Sequence, residues 1–197
     1  MVEVISEMKL LGRGGQGIVT AGELLARSAT LAGLHAQSIP SFGAERRGGP
    51  SQSTVRISNH PILLRCNPST YDVICIFDPT IWHFVDATRG LKEDSILIFN
   101  SRKKPLELDE LLREGRYPSK LSIKNYRVYC LDATGMAMDV LGRPITNTTM
   151  MGAFSAATEL VSMENVIQVI KANFGPQAEA NIKVAEEAYL LIQMQMR

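Results

Sequence analysis

The chain has 197 residues, of which 45% are hydrophobic and 21% charged, and its formal net charge is +1. We expect residues 1–197 to form one domain. The near-neutral charge argues against a nucleic-acid or anionic-membrane surface, and no apolar run approaches the ~18 residues of a membrane helix. The N-terminal MVEVISEM lacks the basic region of a signal peptide, and the three separated cysteines form no metal or cluster motif. These features predict a cytoplasmic protein without a metal site.

The first part of the chain alternates predicted strands and helices. Val2–Leu11 is a predicted strand that runs into LGRGGQGI, and a helical pattern follows over Ile18–Ala32. Thr80–Ala87 is predicted as a short helix, and the polar stretch Ser101–Asn125 as a surface loop with one short helix. The other predicted strands are His35–Pro40, Ser53–Ser58, Tyr71–Phe77, Ser95–Asn100 and Tyr126–Leu131.

The last third of the chain is predicted to be helical. A helix that ends at Leu141 follows the last strand, and further helices are predicted at Thr148–Leu160, Met163–Asn173 and Pro176–Gln195. Alternating strands and helices are typical of a parallel sheet that is covered on both faces. The sequence therefore predicts an α/β fold with a doubly wound, mostly parallel sheet, helices on both faces and a helical C-terminal third.

The stretch LGRGGQGI, residues 11–18, contains the spacing G-x-G-x-x-G between the first strand and the first helix. Glycines let a backbone approach a phosphate closely, and the start of a helix presents free N–H groups. The alternative is a tight turn in which the glycines serve strand–helix packing alone. The predicted phosphate-binding residues are Gly12, Arg13, Gly14, Gly15, Gln16 and Gly17.

A nicotinamide dinucleotide would also require an acidic residue ~20 residues beyond the glycines, at the end of the second strand. That strand, HAQSIPSF, has no acidic residue, and Glu45 comes later than expected. This argues against NAD. Guanidinium groups bind phosphate in a fork, so Arg46 and Arg47 favour another anionic ligand, with Arg13 as a third cation. Solvated turn residues are the alternative explanation of this charged stretch.

Three stretches in this order resemble the gamma subunit of the 2-oxoacid:ferredoxin oxidoreductases. They are LGRGGQGIVTAGELLA, PSFGAERRGGPSQSTVRIS and LDATGMAMDVLGRPITNTTMMGA, and the resemblance covers nearly the whole chain. It implies an enzyme that oxidatively decarboxylates a 2-oxoacid with coenzyme A, giving acyl-CoA, carbon dioxide and reduced ferredoxin. The segment ERRGGP resembles the matching loop of pyruvate-type members, which favours a pyruvate synthase.

The resemblance also implies a division of labour among subunits. Thiamine diphosphate, Mg and the iron–sulfur clusters would belong to alpha, beta and delta partners, and ferredoxin would be reached through the complex. This chain would hold the complex together and help bind coenzyme A, with no catalytic residue of its own. For Asn147 helix capping is the favoured role, and contact with coenzyme A is the alternative. The residues implied for coenzyme A binding are Gly12, Arg13, Gly14, Gly15, Gln16, Gly17, Glu45, Arg46, Arg47 and Asn147.

Two other interpretations remain open from the residues alone. One is a free-standing phosphate- or nucleotide-binding α/β protein, although no general base is paired with a nucleophile. The other is a scaffold that keeps the fold without the ligand. Asp78 and Asp132 each follow a predicted strand, where turn or capping roles are favoured. The sequence does not indicate which 2-oxoacid is used, the direction of the reaction or the subunit count.

Overall fold

A computed structural model describes residues 4–42, 48–114, 123 and 126–197. Strands and helices alternate in its first part, and helices follow each other in the last third, as predicted. The strands are β1 Val4–Arg13, β2 His35–Phe42, β3 Pro50–Ser58, β4 Tyr71–Ile76, β5 Leu91–Asn100 and β6 Arg127–Leu131. The helices are α1 Ile18–Leu31, α2 Pro105–Glu114, α3 Ala133–Leu141, α4 Asn147–Thr158, α5 Met163–Phe174 and α6 Ala178–Gln195.

The strands form one six-stranded sheet in the order β2-β3-β1-β4-β5-β6. Strands β1, β4, β5 and β6 pair in parallel, whereas β3 is antiparallel to both of its neighbours, β1 and β2. The predicted mostly parallel, doubly wound sheet is confirmed. Because β3 separates β2 from β1, the second strand does not lie beside the first as it does in nicotinamide-binding folds.

The first face of the sheet is apolar and is closed by helices. Met8, Leu10, Val55 and Ile57 are among the strand residues that pack there against α1, α4, α5 and α6. Helices α4 and α6 approach each other closely, since a Cβ on Gly152 would overlap the carbonyl of Ala185. This layer holds the larger of the two apolar clusters among the described residues.

The second face is divided into two unlike halves. Over β4 and β5, apolar residues such as Ile76 and Phe99 pack against Trp82 and against Leu108 of α2. Helices therefore lie on both faces, as predicted. In the described part of the chain, no residue of β2 or β3 belongs to this second cluster. We call the second face of β1, β2 and β3 the polar half-face; its side chains include Glu7, Lys9, Gln37, Gln52, Thr54 and Arg56.

The short helix predicted at roughly Thr80–Ala87 is reduced to three residues. In this fully described segment Ile81–His83 form a 3-10 turn, and turns and bends follow. Asp78 Oδ1 accepts hydrogen bonds from the backbone N–H and the hydroxyl of Thr80, at 2.8 and 2.6 Å. Such a side-chain turn offers the backbone an alternative to the helix. The other predicted elements are present with shifted ends.

The described cysteines are dispersed: Cys66 is exposed, Cys75 is buried and Cys130 is half-buried. Burial raises the pKa of the Cys75 thiol, and raises that of Cys130 to about 12, so both are poorly ionised. Within the described ranges, no group of three His, Cys, Asp or Glu side chains is placed to hold a metal ion. Likewise, none of the helices described is long and apolar enough to cross a membrane.

Candidate functional site

The connections of the sheet change face between β1 and β4. Helix α1, which follows β1, packs on the first face, whereas the segment after β4 contributes Ile81 and Trp82 to the second. In open α/β sheets, ligands bind outside the carboxyl ends of the strands at such a switch point. The Gly12–Gly17 loop leaves β1 at this point, and Asp78 follows β4 there.

The backbone of the glycine loop has a shape that few other residues allow. Gly15 and Gly17 have φ values of 103° and 78°, in the left-handed region that a side chain disfavours. At Gly12, a Cβ would lie 2.6 Å from Oε1 of Gln16 and 2.9 Å from the Cβ of Phe77. The turn itself therefore requires these glycines, whether or not a ligand binds.

Helix α1 begins with open amides at this loop. Its N-cap residue is Gly17, which has no side chain to accept a hydrogen bond. The first α1 amide with a backbone acceptor is that of Ala21, which donates to Gly17 O at 2.8 Å. Within the described chain, the N–H groups of Ile18, Val19 and Thr20 have no acceptor. These groups and the helix dipole can bind an anion.

The side chain of Arg13 is bound within the protein. Its guanidinium donates to Thr80 Oγ1 at 2.7 Å and to Gly48 O at 3.0 Å, and its Nε lies 3.4 Å from Asp78 Oδ2. The same group stacks over the Phe84 ring, 4.5 Å from its centroid. Arg13 thereby ties the glycine loop to the segments after β4 and before β3.

The side chain of Gln16 holds the glycine loop by two hydrogen bonds. Its Oε1 accepts the N–H of Arg13 at 2.9 Å, and its Nε2 donates to Asp78 Oδ2 at 2.9 Å. The backbone adds a second brace, because Gly14 donates to Gly49 O at 3.0 Å and accepts from the N–H of Gly48 at 3.3 Å. Asp78 thus forms the turn predicted after β4, through Thr80, and also binds Gln16 of the glycine loop.

Asn147 lies against the glycine loop, although it is far from it in the sequence. A Cβ on Gly17 would lie 3.0 Å from the Cβ and the Nδ2 of Asn147. Asn147 is buried, and its Oδ1 accepts the N–H of Thr148 at 2.8 Å. The side chain therefore binds an amide of the first turn of α4 from within the helix, whereas the sequence predicted Asn147 to precede the helix and cap it. The N-cap position itself is occupied by Thr146.

The remaining predicted residues have different outcomes. Glu45, Arg46 and Arg47 lie outside the described residues, and the described chain resumes at Gly48. Asp132 caps α3 by accepting the N–H of Gly135 at 2.9 Å, as predicted. Sequence reasoning missed the partners of Arg13, which are Gly48, Thr80 and Phe84. The signal for Thr80 is the stretch Asp78-Pro79-Thr80 directly after a buried strand.

The chain was compared with known protein families, curated proteins and solved structures. The model of the family described as pyruvate ferredoxin/flavodoxin oxidoreductase matches residues 7–191. The pyruvate/ketoisovalerate oxidoreductases common subunit gamma of Pyrococcus furiosus is 42% identical over 184 residues, which cover 93% of this chain and 95% of that protein. The pyruvate synthase subunit PorC of Methanocaldococcus jannaschii is 41% identical, with coverage of 93% and 94%.

A solved structure shares the fold over nearly the full length. The crystal structure of pyruvate oxidoreductase subunit PORC from Thermotoga maritima matches with a TM-score of 0.78 and 30% identity, covering 94% of this chain and 95% of that one. The sheet and the helical C-terminal third described above thus recur in a protein of similar length.

Proposed function

The chain belongs to the pyruvate ferredoxin/flavodoxin oxidoreductase family, and we propose that it binds coenzyme A for the assembled enzyme at the glycine loop. It is a gamma-type subunit of a 2-oxoacid:ferredoxin oxidoreductase, as the resemblance predicted, and it works with other subunits. The observation that carries the proposal is the set of open α1 amides at the switch point of the sheet.

The reaction proposed is the oxidative decarboxylation of pyruvate with coenzyme A to acetyl-CoA and carbon dioxide, in which two electrons pass to two molecules of ferredoxin. Two relatives, at 41% and 30% identity, are named for pyruvate, which supports this substrate. Thiamine diphosphate, Mg and the iron–sulfur clusters are assigned to alpha, beta and delta partners. The dispersed cysteines of the described chain fit a subunit that supplies no cluster ligands. Comparing ferredoxin reduction with pyruvate, 2-ketoisovalerate and 2-oxoglutarate tests the substrate.

In this proposal the glycine loop receives the diphosphate of coenzyme A. The amides of Ile18, Val19 and Thr20 donate to its oxygens, and the helix dipole adds to the attraction. Asn147 lies beside Gly17 and offers its Nδ2 as a further donor. Arg13 and Gln16, which already have partners within the protein, keep the loop in its binding conformation.

The first test is Gly15→Ala in the assembled enzyme. A Cβ at Gly15 meets no atom within 4 Å, so the methyl group itself fits; the positive φ of 103° is strained for alanine, and relief of that strain is expected to move the loop away from the diphosphate. We expect the KM for coenzyme A to rise about tenfold or more, because a lost charge-assisted contact is worth about 1.5–3 kcal/mol. The matched control is Gly33→Ala at the end of α1, where φ is 79° and no atom lies within 4 Å either. An equal KM in the two variants would contradict the proposal.

A second test addresses Arg46 and Arg47, which directly precede Gly48 in the sequence. We expect Arg46→Ala and Arg47→Ala each to raise the KM for coenzyme A by roughly 10-fold or more, since each removes a charge-assisted contact of about 1.5–3 kcal/mol. Arg27→Ala, which changes an exposed arginine on α1, is the control. If KM stays constant while the subunits separate more easily, the two arginines belong to a subunit interface instead.

A further inference from the structure

We propose that a valley above Lys9, together with the exposed Leu63 and Phe84, is a docking surface for another subunit of the same enzyme, and that a carboxylate side chain of that partner enters the valley. The inference rests on the family membership and not on the coenzyme A site. Its two parts are a cationic valley and an exposed apolar rim on the same face of the sheet.

The valley has a volume of about 730 Å³. Lys9, Leu11 and Gln52 form its floor on β1 and β3. Its walls come from the segments before and after β4, and include Pro68, Ser69, Phe84, Val85, Asp86 and Arg89. It thus lies where the second apolar cluster ends and the polar half-face begins.

Lys9 is a buried cation at the floor of this valley, with an exposed fraction of 5%. Its Nζ donates to Arg89 O at 2.7 Å and lies 4.8 Å from the centroid of the Tyr71 ring. Burial lowers the pKa of Lys9 to about 8, while the negative charge of Asp86 opposes that shift. An ammonium group has three N–H donors, so Lys9 retains capacity for an anionic partner.

The charges around Lys9 favour an acidic partner. Arg89 is exposed, and in the described chain its guanidinium makes no hydrogen bond or ion pair. Asp86 Oδ1 already accepts the N–H and the hydroxyl of Thr88, at 3.0 and 2.8 Å. Two cations therefore face one carboxylate, which leaves an excess positive charge for a complementary group.

Exposed apolar residues on the two segments that form the walls of the valley favour a protein over a small anion. The segment before β4 crosses the polar half-face, because the carbonyls of Leu64 and Cys66 accept from the Arg56 guanidinium at 3.4 and 3.2 Å. On this segment Leu63 is 78% exposed, and Phe84 on the opposite wall is 47% exposed. Exposed apolar patches with a polar rim are typical of protein interfaces. A small ligand in the valley would leave Leu63 uncovered.

A second copy of this chain is a poor fit to the same surface. A twofold interface is self-complementary, so the polar half-face would have to supply the carboxylate itself. Among the described residues, Glu7 is bound to Arg56 at 2.9 Å, and the negative charge of Asp86 already acts on Lys9 of its own chain. The partner is therefore a different subunit that carries an exposed acidic side chain.

The test uses the co-expressed enzyme with a tagged chain that carries Leu63→Asp or Arg89→Glu. The control is Leu31→Asp, which changes a leucine that is 52% exposed at the end of α1. The affinity of each variant for enzyme depleted of this subunit is measured by titration, after unfolding curves show that each variant folds. We expect both variants to bind at least tenfold more weakly than the control, and hydrogen exchange at residues 59–70 and 84–90 to slow on assembly.

Three outcomes would overturn the proposal. The first is equal affinity of Leu63→Asp, Arg89→Glu and the control for the depleted enzyme. The second is unchanged assembly with a raised KM for coenzyme A or the oxoacid, which would make the valley a small-molecule site. The third is a free chain that dimerises through this face and loses the dimer in Leu63→Asp. None of these outcomes depends on the Gly15→Ala result, so the two proposals fail separately.

Discussion

The two faces of the sheet differ in how apolar their side chains are. The first face is apolar across β1, β3, β4 and β5 and is covered by helices α1, α4, α5 and α6, with Ala133 of α3 in the same cluster. The second face is apolar over β4 and β5 but polar over β1, β2 and β3. Burial of apolar area supplies most of the stability of a domain. The first face therefore supplies most of the apolar burial, whereas the polar half-face is covered by the segment before β4 through hydrogen bonds to Arg56.

The glycine loop lies at the border between these regions. Helix α1, whose open amides form the candidate site, belongs to the closed first face. Arg13 reaches across to Thr80 and Phe84, and Phe84 is also part of the valley wall on the second face. The packing of α1 on the first face thus positions the amides of Ile18, Val19 and Thr20, and the valley on the second face lies nearby.

The largest expected effect tests the closed face. Phe154 on α4 is completely buried in the first cluster. We expect Phe154→Ala to lower the free energy of unfolding by about 3–5 kcal/mol, because it removes apolar contacts and leaves a cavity. Urea denaturation measures this change. Leu63→Ala on the open face is the control, with an expected change within about 0.5 kcal/mol. Similar losses in both variants would remove the contrast between the faces.

A smaller effect is expected from the ion pair between Arg56 and Glu7 on the polar half-face. Arg56 is buried and pairs with Glu7 at 2.9 Å, and its guanidinium also donates to Leu64 O and Cys66 O. We expect Arg56→Met to cost about 3 kcal/mol, near the lower end for a broken buried pair, because Glu7 retains some contact with water. Adding Glu7→Gln should recover part of the loss in urea denaturation. Additive losses would mean that the pair is not coupled.

The buried Lys9 on the polar half-face should make the stability of the protein depend on pH. The pKa of Lys9 is about 8 in the folded chain, below its ordinary value of 10.5. Between these pH values the unfolded chain holds a proton that the folded chain has lost, so Lys9 makes the free energy of unfolding rise with pH. Relative to Lys9→Met, the original chain should gain up to about 1.4 kcal/mol per pH unit above pH 8.

Urea denaturation of both chains at pH 7, 8 and 9 measures this gain. Lys171→Met, on the exposed side of α5, is the control and should show no such change with pH. A constant difference between Lys9→Met and the original chain over this range would mean that Lys9 keeps its proton in the folded state.

Local patterns in the sequence predicted most of the elements. The apolar run YDVICI gave β4, and the helical spacing after Gly17 gave α1, because side-chain periodicity follows directly from backbone geometry. The shortening of the helix at Thr80–Ala87 has a local cause as well. Asp78 binds the N–H and hydroxyl of Thr80, and this turn competes with a helix that composition alone allowed.

The sequence by itself determined the α/β class, the helical last third, the glycine loop and the family, since each depends on local patterns and on their order along the chain. Only the tertiary structure decided that β3 lies antiparallel between β2 and β1. It also decided that Asn147 meets Gly17, and that Arg13 is held by Thr80 and Gly48. These contacts join distant parts of the chain. They depend on which strand edges and helix ends the packing of the whole sheet brings together, and no local periodicity encodes that choice.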